Sequence, residues 1–494
     1  MSETATKPRL GAVAERVRRV PSPLAALLAV AAILGVAWAL VLPAWQSPDE
    51  NSHYGYVQSL VDGPGLPGVA DHPMFATEQG LASAAVNADQ TAASLVTRPQ
   101  WDRGLYDKWK QSEADVTDAQ RSDGGGPNAA RSNPPLAYLV YAAPYAAASS
   151  AGPFDRLEWM RIVGVLWLLV TVAATWALAG EVFAQRSIYQ LAAAALPALA
   201  PMMTFLSASV TPDGMLIALW TVALWLGTRM LRRGLTVQSG VAFMTVVGLA
   251  CWVKATSYAL IPGALLAFGI ALLRVHGGRL RLAVPGLAAL VIVVGGWVAT
   301  ARALARPASE QLSSAATASG LDLRELASYL WQFYLPKLWF MQDFYPSIPM
   351  LLPLFDVVLK GAWGRFGWLE VVFPEWVYWV LTVVTVAASV AALVALWQRR
   401  GRLDRGVLAF LATVMVTLMA GLHWQEYQLK ISSGAPFMQG RYVLPLVGIA
   451  GLVAAAALRL VPARWRGAVL AVGLGGLFAV QIFALAMTME RFYA

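Results

Sequence analysis

The chain of 494 residues has a single cysteine, Cys251, and little charge: Asp, Glu, Lys and Arg together make up 13%. The lone cysteine lies inside an apolar segment and excludes both an internal disulfide and a thiolate metal cluster. The shortage of charge against 58% hydrophobic residues and 20 tryptophans excludes an ordinary soluble protein. No internal repeat is visible, and no stretch reads as a soluble domain large enough to fold alone. What is present is a series of apolar runs of about 20 residues, the length a helix needs to cross the hydrocarbon core. The net charge of +9 is read by its placement, not as a sign of nucleic-acid binding.

The segment MSETATKPRLGAVAERVRRVPSP is polar and basic and is followed by the apolar run Leu24 to Ala44. That run is long, and no small-residue cleavage site precedes Trp45, so it reads as a first transmembrane helix with its N-terminus inside. Later crossings depend on PPLAYLVYAAPYAAA, Pro134 to Ala148, which is short and proline-rich and reads as an interfacial helix. With it kept outside, the basic loops AQRS, RMLRRG, LLRVHGGRLR, QRRGRLDRG and LRLVPARWRG all become cytoplasmic, as the positive-inside rule requires.

The expectation is an all-α polytopic membrane protein with about eleven spans. They fall near 24–44, 159–183, 188–209, 214–231, 237–253, 255–274, 282–303, 376–397, 407–424, 441–460 and 467–489. The chain divides into a core of residues 1–303, which includes a first external insertion at 45–158, a second insertion at 304–375, and C-terminal spans at 376–494. The first insertion, rich in Gly, Asp, Asn and Gln, reads as a loop, with RSDGGGPNAARSNPP as a flexible patch. In the second, LDLRELASYLWQFYLPKLWFMQDFYPSIPM has the spacing of amphipathic helices lying on the bilayer.

This topology brings ionisable residues to one external mouth. Asp49, Glu50 and His53 follow the first span in WQSPDENSHYGYVQ, Asp213 lies in SVTPDGM, and Lys254 lies in CWVKATS. Glu370 and Glu375 close the second insertion, and His423, Glu426, Lys430 and Arg441 surround the short loop before the tenth span. Ionisable groups beside hydrocarbon are costly, so their convergence marks a candidate reaction site. Each also has a plainer reading: Lys254 and Arg441 as headgroup anchors, Asp49 and Asp213 as helix caps. On a helix His53 shares a face with Asp49 and Glu50, so the three are candidates to hold a divalent cation, Mg or Mn, or to orient a general base. A metallopeptidase is excluded because the first histidine of HExxH is missing.

The strings PDENSH, SNPPLAYL, VTPDGM, WGRFGWLEVVFPEWVY and QGRYVLP, in this order, resemble a family of bacterial membrane proteins within the GT-C superfamily of polyprenyl-phosphate-dependent glycosyltransferases. The resemblance implies a GT-C-type bundle in the cytoplasmic membrane. It also implies transfer of a sugar from a polyprenyl-phosphate donor to a glycan, glycolipid or protein acceptor on the outer face, for the cell envelope. By the same resemblance Asp49, with Glu50 beside it, and Asp213 are catalytic. Phosphate stabilisation calls for cations, so Arg131, Lys254 and Arg441, with His53 and Tyr442, are candidate substrate-binding residues. One departure stands out: relatives often place His or Lys directly before the two prolines, where this chain has Asn133. A transporter, or a non-catalytic assembly subunit, is the alternative; a transporter would place its charges near the midplane.

Overall fold

The structure, a computed structural model, describes residues 20–303, 322–345, 352–402, 404–434 and 436–494. The basic N-terminal tail, on which the inward N-terminus was expected, lies outside the described residues, as do residues 304–321 and 346–351 of the second insertion. The first span is α1 (Ser22–Val41), and the first insertion holds α2 (Glu50–Val61), α3 (Thr77–Ala85), α4 (Ala88–Ala93), α5 (Arg103–Ala114), α6 (Asp118–Ser122) and α7 (Leu136–Ala147). The bundle continues through α8 (Pro153–Phe183), α9 (Ser187–Leu199), α10 (Pro201–Ser207), α11 (Asp213–Arg233), α12 (Val237–Cys251), α13 (Leu260–Leu273) and α14 (Arg279–Ala303). The second insertion contributes α15 (Leu323–Tyr334), α16 (Lys360–Trp363) and a hairpin of β1 (Arg365–Phe366) and β2 (Val371–Val372). Then follow α17 (Glu375–Gln398), α18 (Arg405–Ser433), α19 (Val447–Leu458) and α20 (Arg466–Tyr493).

This is an all-α polytopic membrane protein. Of the roughly eleven expected spans, nine are helices long and apolar enough to cross a membrane among the described residues. The other two exist in altered form. The span expected at 188–209 is the pair α9 and α10, bent by 58°, because Pro201 forces Ala200 out of the helical region to ψ 123°. The span expected at 237–253 is α12, with 15 residues. At 1.5 Å per residue it rises only about 22 Å, and Lys254, just past its end, reaches the Asp213 carboxylate at the start of α11 through its long side chain.

The first insertion is helical and packed rather than loop-like. Thr117 and Gln120 form a capping box at α6, and Asp102 accepts the Leu105 N–H at the start of α5. Trp45, Tyr54, Tyr138 and Tyr145 are buried in an aromatic core under it. Arg156, fully buried in α8, ion-pairs Glu78 of α3 at 2.5 Å and donates to the Tyr145 hydroxyl, tying the insertion to the bundle. The glycine-rich patch is tightly fitted: the Gly126 N–H donates to Pro73 O at 2.8 Å, and a side chain on Gly126 would strike the carbonyl oxygen of His72.

The second insertion returns to the first. The β1–β2 hairpin pairs Arg365 with Val372 and Phe366 with Val371. Phe366 packs on Trp38 of α1, ring centroids 5.0 Å apart, and on Phe205 of α10 at 5.5 Å. In the hairpin turn, Trp368 donates its indole N–H to Trp45 O at 3.0 Å. As expected from its spacing, α15 is amphipathic. It buries Tyr329, Gln332 and Phe333 against α18 and is capped by Asp322.

Candidate active site

The chain leaves α1 through a tight turn in which Trp45 and Asp49 both adopt left-handed backbone, φ 58° and 60°. Asparagine, aspartate and glycine tolerate this region best. Asp49 occupies the N-cap position of α2, yet its side chain makes no capping hydrogen bond. Its carboxylate instead accepts from Arg441 Nη2 at 3.2 Å and keeps 42% of its surface. The capping reading therefore does not account for Asp49.

Glu50, one residue on, has a different environment. It is fully buried, and Arg161 of α8 holds it with Nε on Oε1 at 2.9 Å and Nη2 on Oε2 at 2.5 Å. The Val210 N–H donates to the same Oε1 at 3.0 Å. Arg161 spends its remaining donors on the carbonyls of Ala39, Leu42 and Pro43, the otherwise unpaired C-terminal end of α1. So one arginine fixes the exit of α1 and the start of α2, and thereby the place of Asp49.

Asp213 opens α11 at its first helical position, without capping it. The Lys254 ammonium donates to its carboxylate at 2.7 Å. Lys254 also stands 5.2 Å from the centroid of the Tyr442 ring, and the Arg441 guanidinium 5.5 Å from it. Tyr442 is thus shared by two cations that pair with two different carboxylates. Arg441 Nε–H is buried and lacks a hydrogen-bond partner among the described residues. An unsatisfied buried donor of this kind is costly and suits an incoming acceptor.

His53 lies within electrostatic range of Asp49, Lys254, Asp213 and Arg441, and its backbone N–H donates to Asp49 O at 3.0 Å. Burial, opposed by Asp49, lowers its pKa to about 4, so its imidazole is neutral near pH 7. Its Nδ1 meets the Tyr138 hydroxyl at 2.9 Å, and that oxygen accepts from Asn133 Nδ2 at 2.9 Å. Tyr138 then has its own proton to donate to Nδ1. Asn133 therefore serves this hydrogen-bonded chain. Tyr56 stacks on Tyr138, with centroids 3.8 Å apart and planes 9° from parallel.

The trio Asp49, Glu50 and His53 does not fit a metal ion. Both Glu50 oxygens are occupied by Arg161, His53 Nδ1 is engaged by Tyr138, and Asp49 points to Arg441. No group of three His, Cys, Asp or Glu side chains that could hold a metal ion occurs among the described residues. The structure thus corrects the expected cation site.

The expected residues separate into two sets. Asp49, Asp213, Lys254, Arg441 and Tyr442 come together, with Glu50 and His53 directly behind them. Arg131 stays exposed and makes no ion pair among the described residues. The others at the mouth fasten the second insertion or the loop before α19. His423 lies between the hydroxyls of Tyr329 and Tyr334, at 2.9 and 2.7 Å, and Glu426 accepts the N–H groups of Phe437 and Met438. Lys430 donates to Phe344 O, Glu375 pairs with Lys360, and Glu370 lies 3.7 Å from Arg491. Arg161 and Tyr138 were missed by sequence reasoning. Arg161 had a signal, an arginine inside the apolar run that begins at Trp159.

No curated protein matches the chain. Among solved structures it is similar to ArnT from Cupriavidus metallidurans bound to undecaprenyl phosphate, at 14% identity and TM-score 0.45, over 94% of this chain and 75% of that one. It is also similar to the Archaeoglobus fulgidus oligosaccharyltransferase AglB in complex with an inhibitory peptide and a dolichol-phosphate, at 11% identity and TM-score 0.49, over 95% of this chain and 56% of that one. It therefore spans little more than half the length of AglB. The model of a family described as predicted membrane proteins, DUF2142, matches residues 32–450. That match runs from inside α1 through Asp49, Asp213, Lys254 and Arg441 into α19, and this protein belongs to the DUF2142 family of membrane proteins.

Proposed function

We propose that this protein is a glycosyltransferase that moves a sugar from a polyprenyl-phosphate carrier to an acceptor hydroxyl, at the outer face of the cytoplasmic membrane, for the cell envelope. One observation carries the reading: at one end of a membrane-spanning bundle, a half-exposed carboxylate, Asp49, stands beside two cations, Arg441 and Lys254, that converge on Tyr442. The likeness to ArnT and AglB in their lipid-phosphate complexes is one of chain course; the chemistry below rests on this chain's own side chains.

In this reading Asp49 accepts the acceptor's proton while the acceptor oxygen attacks the anomeric carbon. The bond from that carbon to the phosphate oxygen breaks, and its electron pair leaves with the polyprenyl phosphate. An alcohol is a poor nucleophile, and a carboxylate within reach contributes about 10²–10⁴-fold. Arg441, through its unpaired Nε–H, and Lys254 meet the charge that grows on the leaving phosphate. Asp213 orients Lys254, and Tyr442 lies between the cations as a face for the sugar or the phosphate. Glu50, saturated by Arg161, positions the Asp49 turn and takes no proton. Displacement from one side inverts the anomeric centre.

Transport is the second reading, because the break between α9 and α10 is the kind of discontinuity transporters use. The helix after that break, Pro201–Ser207, carries no ionisable residue, and Asp49, Asp213, Lys254 and Arg441 gather at one end of the bundle. The deciding experiment gives purified protein a panel of radiolabelled polyprenyl-phosphate sugars with membrane extract as acceptor, with and without EDTA. Transfer that vanishes in Asp49→Asn supports the proposal. Full transfer by that variant sinks the assignment of Asp49.

A further inference from the structure

The end of the bundle away from Asp49 carries a group of cations without acids. Past Phe183, Ala184 and Gln185 are left-handed, with φ 55° and 57°, and turn the chain so that Arg186 becomes the N-cap residue of α9. That helix has no side-chain cap. A cation at a helix N-terminus faces the positive end of the dipole, the reverse of the stabilising placement. Arg459, just beyond α19, lies 4.8 Å from the Phe183 ring centroid and 5.2 Å from that of Tyr189. Arg466 opens α20, again with no side-chain cap; it lies 5.9 Å from the Tyr189 ring and donates to Arg459 O at 3.1 Å.

Arg399, at the end of α17, completes the group. Burial first, then Arg399 and Arg186, hold the Arg459 guanidinium below its ordinary pKa. Three arginines at this end have acids: Arg229 and Arg233 share Glu181, and Arg274 pairs with Asp404. Among the described residues, Arg186, Arg399, Arg459 and Arg466 have no ion pair. Arg399 and Arg186 repel Arg459, and Arg466 shares the Tyr189 ring with it, beside two uncapped helix N-termini. An anion with several acceptor oxygens converts that repulsion into charge-assisted hydrogen bonds, and phosphate matches the guanidinium fork. The group stands where the spans end, the level at which lipid headgroups lie.

We propose that Arg186, Arg399, Arg459 and Arg466, with the N-terminus of α9 and the Tyr189 ring, form a binding site for the phosphate of an anionic phospholipid. Native mass spectrometry of the full chain tests this, in detergent titrated with phosphatidylglycerol or phosphatidylcholine, and with inorganic phosphate as competitor. One phosphatidylglycerol per chain is expected, with no comparable retention of phosphatidylcholine. At roughly 1 kcal/mol per basic residue near a membrane surface, each arginine removed weakens binding about fivefold. Arg459→Gln is the direct variant. Arg399→Gln, at an exposed side chain, keeps the test valid if Arg459→Gln misfolds. Arg281→Gln, a basic residue at the start of α14, should leave retention unchanged. Equal retention of the two lipids, or unchanged phosphatidylglycerol retention in Arg399→Gln, overturns the proposal. Binding of inorganic phosphate with no retained phosphatidylglycerol overturns the lipid as its source.

Discussion

Gly361 and Gly440 cross with no space for a side chain between them: a Cβ on Gly361 would lie 2.9 Å from the Gly440 Cα, and one on Gly440 would run into the Gly361 carbonyl carbon. This contact joins α16, in the second insertion, to the residue preceding Arg441. Arg441 in turn meets Asp49, far away in sequence.

Gly440→Ala should therefore act on the site as well as on stability. Backbone has to move, and overpacking of this kind costs about 1–3 kcal/mol. A lower thermal midpoint is expected, with transfer reduced at least as much as in Gly361→Ala. Gly421→Ala, where a Cβ meets nothing within 4 Å, is the control. If Gly440→Ala keeps both its midpoint and its transfer rate, the crossing does not position Arg441.

Asp49→Asn should reduce transfer by about 10²–10⁴-fold and leave the thermal midpoint nearly unchanged. Asparagine tolerates the left-handed backbone, and Asp49 is 42% exposed, so little packing is disturbed. Asp49→Ala adds backbone strain and should lower the midpoint too. Equal midpoints for the Asn and Ala variants would argue against strain at this turn.

Glu50 and Arg161 should behave as one unit. Arg161→Gln strands a buried carboxylate, and breaking such a pair costs about 3–5 kcal/mol. Combining it with Glu50→Gln removes the stranded charge, so the double variant should be more stable than Arg161→Gln alone. Thermal unfolding of the two singles and the double measures this. Strict additivity would show that the bidentate contact is not made in solution.

Much of this arrangement was legible in the sequence, and the reason is hydropathy. The positions of the spans follow from apolar length, and once they are placed, Asp49, Asp213, Lys254 and Arg441 must share one end. What could not be read depends on partners distant in sequence. Nothing local distinguishes Asp49 from Glu50; Arg161 and the Val210 N–H, both distant in sequence, make Glu50 a strut, while Asp49 stays open to solvent. The metal reading failed for the same cause, since the trio's local spacing was right but its lone pairs were already committed. The first insertion looked like a loop because its glycines are used for close backbone approach, as at Gly126, and not for flexibility.

His53 should make stability depend on pH with a definite sign. Its folded pKa is about 4, mainly through burial, against 6.5 for an exposed histidine. Between those values the unfolded chain takes up a proton that the folded chain refuses. Stability is therefore full above pH 6.5 and falls as the pH drops towards 4. From pH 6.5 to pH 5 the loss is about 2 kcal/mol, at 1.36 kcal/mol per pH unit. In His53→Gln that part of the slope should disappear, so the variant's thermal midpoint should fall less than the parent's between pH 7 and pH 5. If both chains lose the same number of degrees, His53 is protonated in the folded state, and its Nδ1 cannot accept the Tyr138 proton.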